Sequence, residues 1–250
     1  QDIDRLEDIV KRKEKEFGHK IWLMHDCCHA FGAKWNGRNV GSSGDVAVYA
    51  FNISKIMTSV FGGMLTFQNQ DLADKIRLWR DENFKSPSIF KSLKQRLYLI
   101  SVYIAFKKSI YSFIHYIQHN SSILNQFTEA YHLDDKIHFP PDYLDKMIDF
   151  QAAVGLVQLK KYDYIIQKRE KNVFSYNKKF KNRKEWKLPK LKNGATYSHY
   201  VVRVKNREKV INEYRGKGIE LGKLIQYSIP ELTSYSNIKS DCPNSLIASK

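Results

Sequence analysis

The chain has 250 residues, enough for one large domain or two modest ones. Hydrophobic residues at 42% and charged residues at 27% exclude a disordered chain, and three cysteines exclude a disulfide framework. A formal net charge of +16 points to nucleic acid, anionic lipid or phosphorylated substrates, unless the lysine excess is a solvated surface.

Residues 2–17, "DIDRLEDIVKRKEKEF", space Ile3, Leu6, Ile9 and Val10 as a helix, with Gly18 as its stop. "KIWLMHD" is expected to be a short buried strand ending at Asp26. "AKWNGRNVG" carries a hairpin signal with Asn36-Gly37 as the two-residue turn. "DVAVYAF" and "GGMLTF" are further strand candidates, separated by a polar turn that holds Lys55. "NQDLADKIRLWRDENF" closes this stretch as an amphipathic helix, and the interleaving argues an α/β sheet.

Residues 84–140 differ in character. "LYLISVYIAF" and "SIYSFIHYI" are apolar and aromatic, but neither reaches the roughly 18–20 residues that span a bilayer. A buried helical hairpin is the plain expectation. The alternative is an interfacial helix over 90–117, with Lys91, Lys94, Arg96, Lys107 and Lys108 near anionic lipid. From about Asp145 to Phe180 the pattern is a long helix, its first part rich in small residues (Ala152, Ala153, Gly155). Beyond a loop over Lys187 to Lys192, "SHYVVRVK" reads as a strand, "REKVINEYRGKG" as a helix and "IELGKLIQYSIP" as a strand or extended segment. Together they suggest a small α+β domain. The absence of a basic-then-apolar leader and the cysteine usage lead to a cytoplasmic expectation, with a membrane-peripheral face as its variant.

The stretch "HDCCHAFG", His25 to Gly32, concentrates potential ligands. Structural zinc sites need two ligand pairs at short spacing, and the adjacent Cys27 and Cys28 point in different directions, so no metal is expected. A vicinal disulfide is strained, and a nucleophilic cysteine needs an electropositive niche. Small packed residues are the favoured reading for both. Asp26 stands at the carboxyl end of an expected strand, where open α/β sheets place ligand sites, and Lys55 lies past the end of another. The pair suits either a salt bridge or a pyridoxal phosphate site. In the latter, a lysine forms the Schiff base and a carboxylate keeps the pyridine nitrogen protonated.

From His25 to Asp81 the sequence resembles the core of the DegT/DnrJ/EryC1/StrS sugar aminotransferases. Those proteins run from a strand ending in Glu-Asp through a Gly-rich turn and hairpin to a "GDxxxFSFxxxK" strand-turn and a Gly-Gly strand. Asp26 matches the pyridine-binding Asp, His29 the Gln or His beside the ring, and Lys55 the Schiff-base Lys. "FQAAVGLVQLKKYDYIIQKR" and "GIELGKLIQYSIPEL" are similar to two further family segments.

The resemblance implies the type I aspartate-aminotransferase fold. Residues 1–83 would be the C-terminal part of the cofactor-binding α/β large domain and 84–140 a helical, aromatic-rich insertion. Residues 141–250 would be a linking helix with an incomplete small α+β domain. It further implies a homodimer, pyridoxal 5'-phosphate, glutamate as amino donor and a nucleotide-linked keto-sugar as acceptor, for surface polysaccharide or glycan synthesis. Retention of Lys55 separates the chain from a dehydratase branch with His there. Departures are also present: Ala50 replaces a phosphate-contacting Ser, Phe61 a Glu, His25 the Glu before the Asp. Lys146 stands where an Arg or Asn approaches the partner subunit's cofactor phosphate. They leave a catalytically weakened cofactor-binding homologue, with a regulatory or membrane-surface role, as the alternative. Family members carry a phosphate-binding loop ahead of the segment that Gln1 opens, so this stretch alone is expected not to complete the site. No nucleic-acid motif is present, and no nucleic-acid partner is expected.

Overall fold

A computed structural model describes residues 2–107, 109–113, 139, 142–224, 227–235, 237 and 241–249. It divides into two units, Gln1–Gln95 with Asp145–Lys205, and Arg96–Leu144 with Asn206–Lys250.

In the first unit, helix α1 (Ile3–Phe17) begins where the Asp2 side chain accepts from Arg5 N–H and ends at Gly18, whose φ of 68° only glycine adopts cheaply. Strands β1 (Met24–Asp26), β4 (Val46–Ala50) and β5 (Gly63–Phe67) form one sheet in the order β1-β4-β5. β1 runs parallel to β4 with Asp26 opposite Val48, and β5 is antiparallel to β4 with Gly63 opposite Ala50. Buried Val46, Ala47, Phe51, Ile56, Met57 and Val60 make the core on and just past β4. β1 is less buried than its apolar run implied: His25 points inward while Met24 and Asp26 face out, the two-residue alternation of a strand with one wet face.

β2 (Lys34–Trp35) and β3 (Arg38–Asn39) form the expected hairpin, with Asn36 and Gly37 at φ 47° and 81°. The Asp4 carboxylate of α1 tethers it, accepting from Trp35 Nε1 and Asn36 Nδ2, both at 2.8 Å, and from Arg38. The hairpin also meets the loop at Gly194, where Lys34 N–H donates to the Gly194 carbonyl at 2.8 Å. Gly194 has φ +77°, and a Cβ there would lie 2.4 Å from the Lys34 carbonyl oxygen. Gly194→Ala is expected to destabilise by about 1–3 kcal/mol, read as a lower Tm. An unchanged melt would show that the loop is free to move away.

α2 (Gln70–Asn83) starts on the Asn69 side chain, which accepts from Leu72 N–H at 2.8 Å. The expected long helix after Asp145 is two helices, α4 (Asp149–Lys160) and α5 (Tyr162–Phe180), meeting at Lys161. Of the small residues in α4, Gly155 is buried, facing Ser59 of the Lys55 loop, whereas Ala152 and Ala153 are exposed. "SHYVVRVK" does not form the expected strand. It pairs only through a single bridge between Lys187 and Arg203, with too few neighbouring backbone groups for a ladder.

α3 (Ile89–Ala105) is helical as expected but not buried: Ile89, Phe90, Leu93, Leu97, Ile100 and Ile104 are exposed. Of the second apolar run, 109–113 are helical, whereas Lys108 and 114–117 of the interfacial segment lie outside the described residues. In the second unit, Asn206 caps α6 (Arg207–Gly216), a short helix α7 spans Pro243–Ser249, and no strand occurs among its described residues. "IELGKL" forms no strand; Ile219 N–H instead returns to the Tyr214 carbonyl at 2.9 Å, at the end of α6.

Candidate functional site

Two adjacent parallel strands must end on the same edge, and β1 and β4 place Asp26 and the Lys55 loop there. Past β1 the chain turns tightly. Cys27 N–H continues the sheet to the Val48 carbonyl at 2.8 Å, Cys28 N–H donates to Asp26 Oδ1 at 2.9 Å, and Ala30 N–H reaches the Cys27 carbonyl. This asparyl turn brings His29 back over the edge. Past β4, Phe51 N–H donates to the Gly62 carbonyl and Ser59 N–H to the Phe51 carbonyl, tying both ends of the 51–62 loop. Inside it, Asn52 Oδ1 accepts from the Ser54 hydroxyl at 2.7 Å, and Lys55 N–H bonds the Asn52 carbonyl. Val60, fully buried, is held at φ 75° with its N–H on Thr58 Oγ1. A branched residue there costs about 1–3 kcal/mol, so the loop's exit is over-determined by its surroundings.

The outcome is a contact of 2.7 Å between Lys55 Nζ and His29 Nε2. An ammonium only donates, so with Lys55 charged the accepting Nε2 carries no proton. Burial, then the Lys55 and His199 charges, press the His29 pKa below its ordinary value, against the pull of Asp26. Asp26 is held below the usual carboxylate range by the Cys28 thiol and N–H, and further by Lys55 and His29. An ionised carboxylate, a primary amine and a neutral imidazole therefore share one sheet edge. The His199 ring stands 5.6 Å from that of His29.

The "HDCCH" stretch divides by the strand alternation. His25 and Cys27 face inward, Cys27 being 1% exposed, whereas Asp26 and His29 face outward. Burial raises the thiol pKa of both cysteines, so neither is a ready thiolate. Among the described residues no group of three His, Cys, Asp or Glu side chains is arranged to hold a metal.

Lys146 does not join this cluster through any contact described: its N–H bonds the Lys85 carbonyl, and its ammonium lies 3.4 Å from Asp81 at the end of α2. Ala50 is the last residue of β4 and brings no hydroxyl. Two residues escaped sequence reasoning. Cys28, taken for inert packing, positions Asp26; the two-residue step from Asp26 signals it, because Asx turns use that spacing. His199 lay inside an expected strand, and nothing local marks a ring that meets His29 from 170 residues away. Behind the site, Phe31 packs edge-on against Tyr49, Phe51 and Tyr162, and the Tyr162 hydroxyl donates to the Phe31 carbonyl at 2.8 Å. Burial, then Asp163 and Glu170, push the Tyr162 pKa up to about 12, so it remains a donor.

The DegT/DnrJ/EryC1/StrS aminotransferase family model matches residues 1–249. GDP-perosamine synthase of Caulobacter vibrioides is 25% identical over 256 residues, covering 96% of this chain and 53% of that protein. A sugar aminotransferase of Micromonospora echinospora superposes with a TM-score of 0.67 at 16% identity, over 100% of this chain and 57% of that one. A Streptococcus pneumoniae protein in its PLP form does so with a TM-score of 0.64 at 21% identity, over 100% and 58%. The chain spans about half the length of the curated relatives it matches. With the family model matched from the first residue to the last but one, and the fold shared with these aminotransferases, the chain belongs to the DegT/DnrJ/EryC1/StrS aminotransferase family.

Proposed function

We propose that this chain serves a pyridoxal-phosphate-dependent aminotransferase that moves an amino group from glutamate to a nucleotide-linked keto-sugar for polysaccharide or glycan synthesis. The observation that carries it is the 2.7 Å approach of Lys55 to His29 beside the ionised Asp26. Relatives named as a GDP-perosamine synthase and as a UDP-linked amino-sugar transaminase support the substrate class. On this reading the fold is the type I aspartate-aminotransferase fold. Residues 1–83 are part of the cofactor-binding large domain, 84–140 an insertion and 141–250 the linking helices and small domain. Two copies form the working enzyme, and Lys146 serves the partner subunit's phosphate, which requires its ammonium to leave Asp81.

The residues fit the cofactor at two points: a carboxylate that stays ionised, and an amine on the same edge. Bound pyridoxal phosphate supplies an electron sink for the charge left at an amino acid's Cα when its proton departs. Asp26 would hold a proton on the ring nitrogen by charge and hydrogen bond. The Lys55 amine would anchor the group and, once freed, would take the proton from Cα and deliver it to the cofactor C4′. His29 fixes where that amine rests by accepting its hydrogen bond.

Incubation with pyridoxal phosphate, borohydride reduction and peptide mapping test this. In the full-length protein the phosphopyridoxyl label is expected on Lys55, and a label elsewhere or none would sink the assignment. A label on Lys55 without amino transfer from glutamate would select the weakened homologue that Ala50 and Phe61 suggest.

A further inference from the structure

The Lys55 backbone is tied by its loop, but the His29 ring that receives its hydrogen bond is an exposed side chain on a turn. Nε2 of that ring meets Lys55, and among the described residues Nδ1 has no hydrogen-bond partner. A functional histidine is ordinarily set in one tautomer and one orientation by what its second nitrogen bonds. Without that bond the torsion about Cβ–Cγ is broad and two-fold. A half-turn there exchanges Nε2 with the carbon Cε1, and the acceptor for Lys55 is lost. What stands against the ring instead is His199, tilted by 47° to it.

His199 is delivered by backbone closed at several points. Arg169 of α5 donates to the Tyr197 and Ser198 carbonyls at 3.1 and 3.0 Å. The Tyr197 hydroxyl accepts from Lys192 N–H and donates to the Lys192 carbonyl, both at 3.0 Å, and Thr196 is buried. His199 Nδ1 itself lies 3.3 Å from Ser198 Oγ. Tyr197 is held at φ 48°, a left-handed conformation uncommon for a bulky residue. Among the described residues outside the hairpin turn, only Val60 and Tyr197 combine a side chain with such a φ. One closes the Lys55 loop and the other precedes His199 by two residues. Backbone strain of this kind persists where the surroundings over-determine it, and it clusters at functional sites.

We propose that His199 is a positioning residue whose ring braces that of His29, so that Nε2 rather than Cε1 faces the Lys55 amine. The proposal rests on Lys55 as the working amine, but its first readout needs no cofactor. That readout is the nitrogen resonances of 15N-labelled histidine in the cofactor-free full-length protein, with His29→Gln to assign the ring. In the parent, the neutral His29 ring is expected to carry its proton on Nδ1, because Nε2 accepts from Lys55. His199→Ala should shift the ring towards the Nε2–H form, and His199→Phe, which keeps a ring without its nitrogens, should retain the parent's form. Labelling of Lys55 by pyridoxal phosphate and borohydride should slow at least about threefold in the Ala variant and much less in the Phe variant. His199 is exposed, so both variants should melt with the parent. The idea is overturned if the Ala variant keeps the parent's tautomer, if the Phe variant behaves as the Ala variant does, or if the parent already favours the Nε2–H form. Tautomers in the expected order with no label on Lys55 in any of the three would sink the cofactor reading and leave the brace standing.

Discussion

Lys55→Ala is expected to lower the rate of amino transfer by at least about 10²–10⁴-fold, the usual worth of a positioned acid–base group, and to abolish the borohydride-stable label. Lys55→Arg should fail almost as badly. Guanidinium keeps the charge but does not give up its proton near neutrality, so the pair of variants separates charge from proton transfer. Neither should disturb the fold, since the loop is closed by backbone bonds at Phe51, Ser59 and Gly62. Single-turnover measurements with glutamate read the loss directly, and a variant within tenfold of the parent would remove Lys55 from the chemistry. The parent should also lose activity on acidification. His29 titrates below its ordinary value of 6.5, so at neutral pH it accepts from Lys55. Once protonated it sets a second cation against the ammonium.

Asp26→Asn is expected to cost about 10²–10³-fold, the scale of removing one pre-placed electrostatic contact. The amide retains shape and loses the charge that would hold a protonated ring nitrogen. An independent signature comes from Cys28, whose thiol pKa is raised by burial and then by Asp26. The Asn variant should therefore alkylate faster at a given pH above neutrality, while a change in packing alone would not shift the alkylation profile. The stability difference has a defined sign. The folded state depresses the Asp26 pKa, so the unfolded chain binds more protons through the acid range, and stability rises with pH there. The advantage of parent over variant should be full above the ordinary carboxylate value of 3.8 and vanish as pH falls through the lower folded value. A parent and variant with parallel acid unfolding would contradict that depression.

Where a residue's conformation depends on its neighbours in the chain, it was legible. Gly18, Asn69 and the Asn36-Gly37 turn announce helix ends and a hairpin because φ preferences and side-chain caps are local. That Asp26 and the Lys55 loop lie at one edge of the sheet was legible through two strands and their ends, helped by the family resemblance. Burial was less legible, since hydrophobicity reports what a side chain prefers and not what covers it. Leu97 and Ile100 read as core and are exposed; Ala152 and Ala153 read as packing residues and face outward. Long-range polar partners were invisible for the same reason. Lys146 meeting Asp81, and His199 meeting His29, depend on how distant segments dock.

The tied loop from Phe51 to Gly62 has a thermodynamic consequence. A lysine on an open loop would have its backbone ordered by each arriving ligand, and that lost entropy would be subtracted from affinity every time. Here the ordering is done once, during folding, and its cost is charged to the stability of the protein. Lys55 then has only side-chain rotations left to spend. Pre-organisation of this kind places the amine's readiness in the hydrogen bonds of Phe51 and the buried Val60, residues that need never meet a substrate.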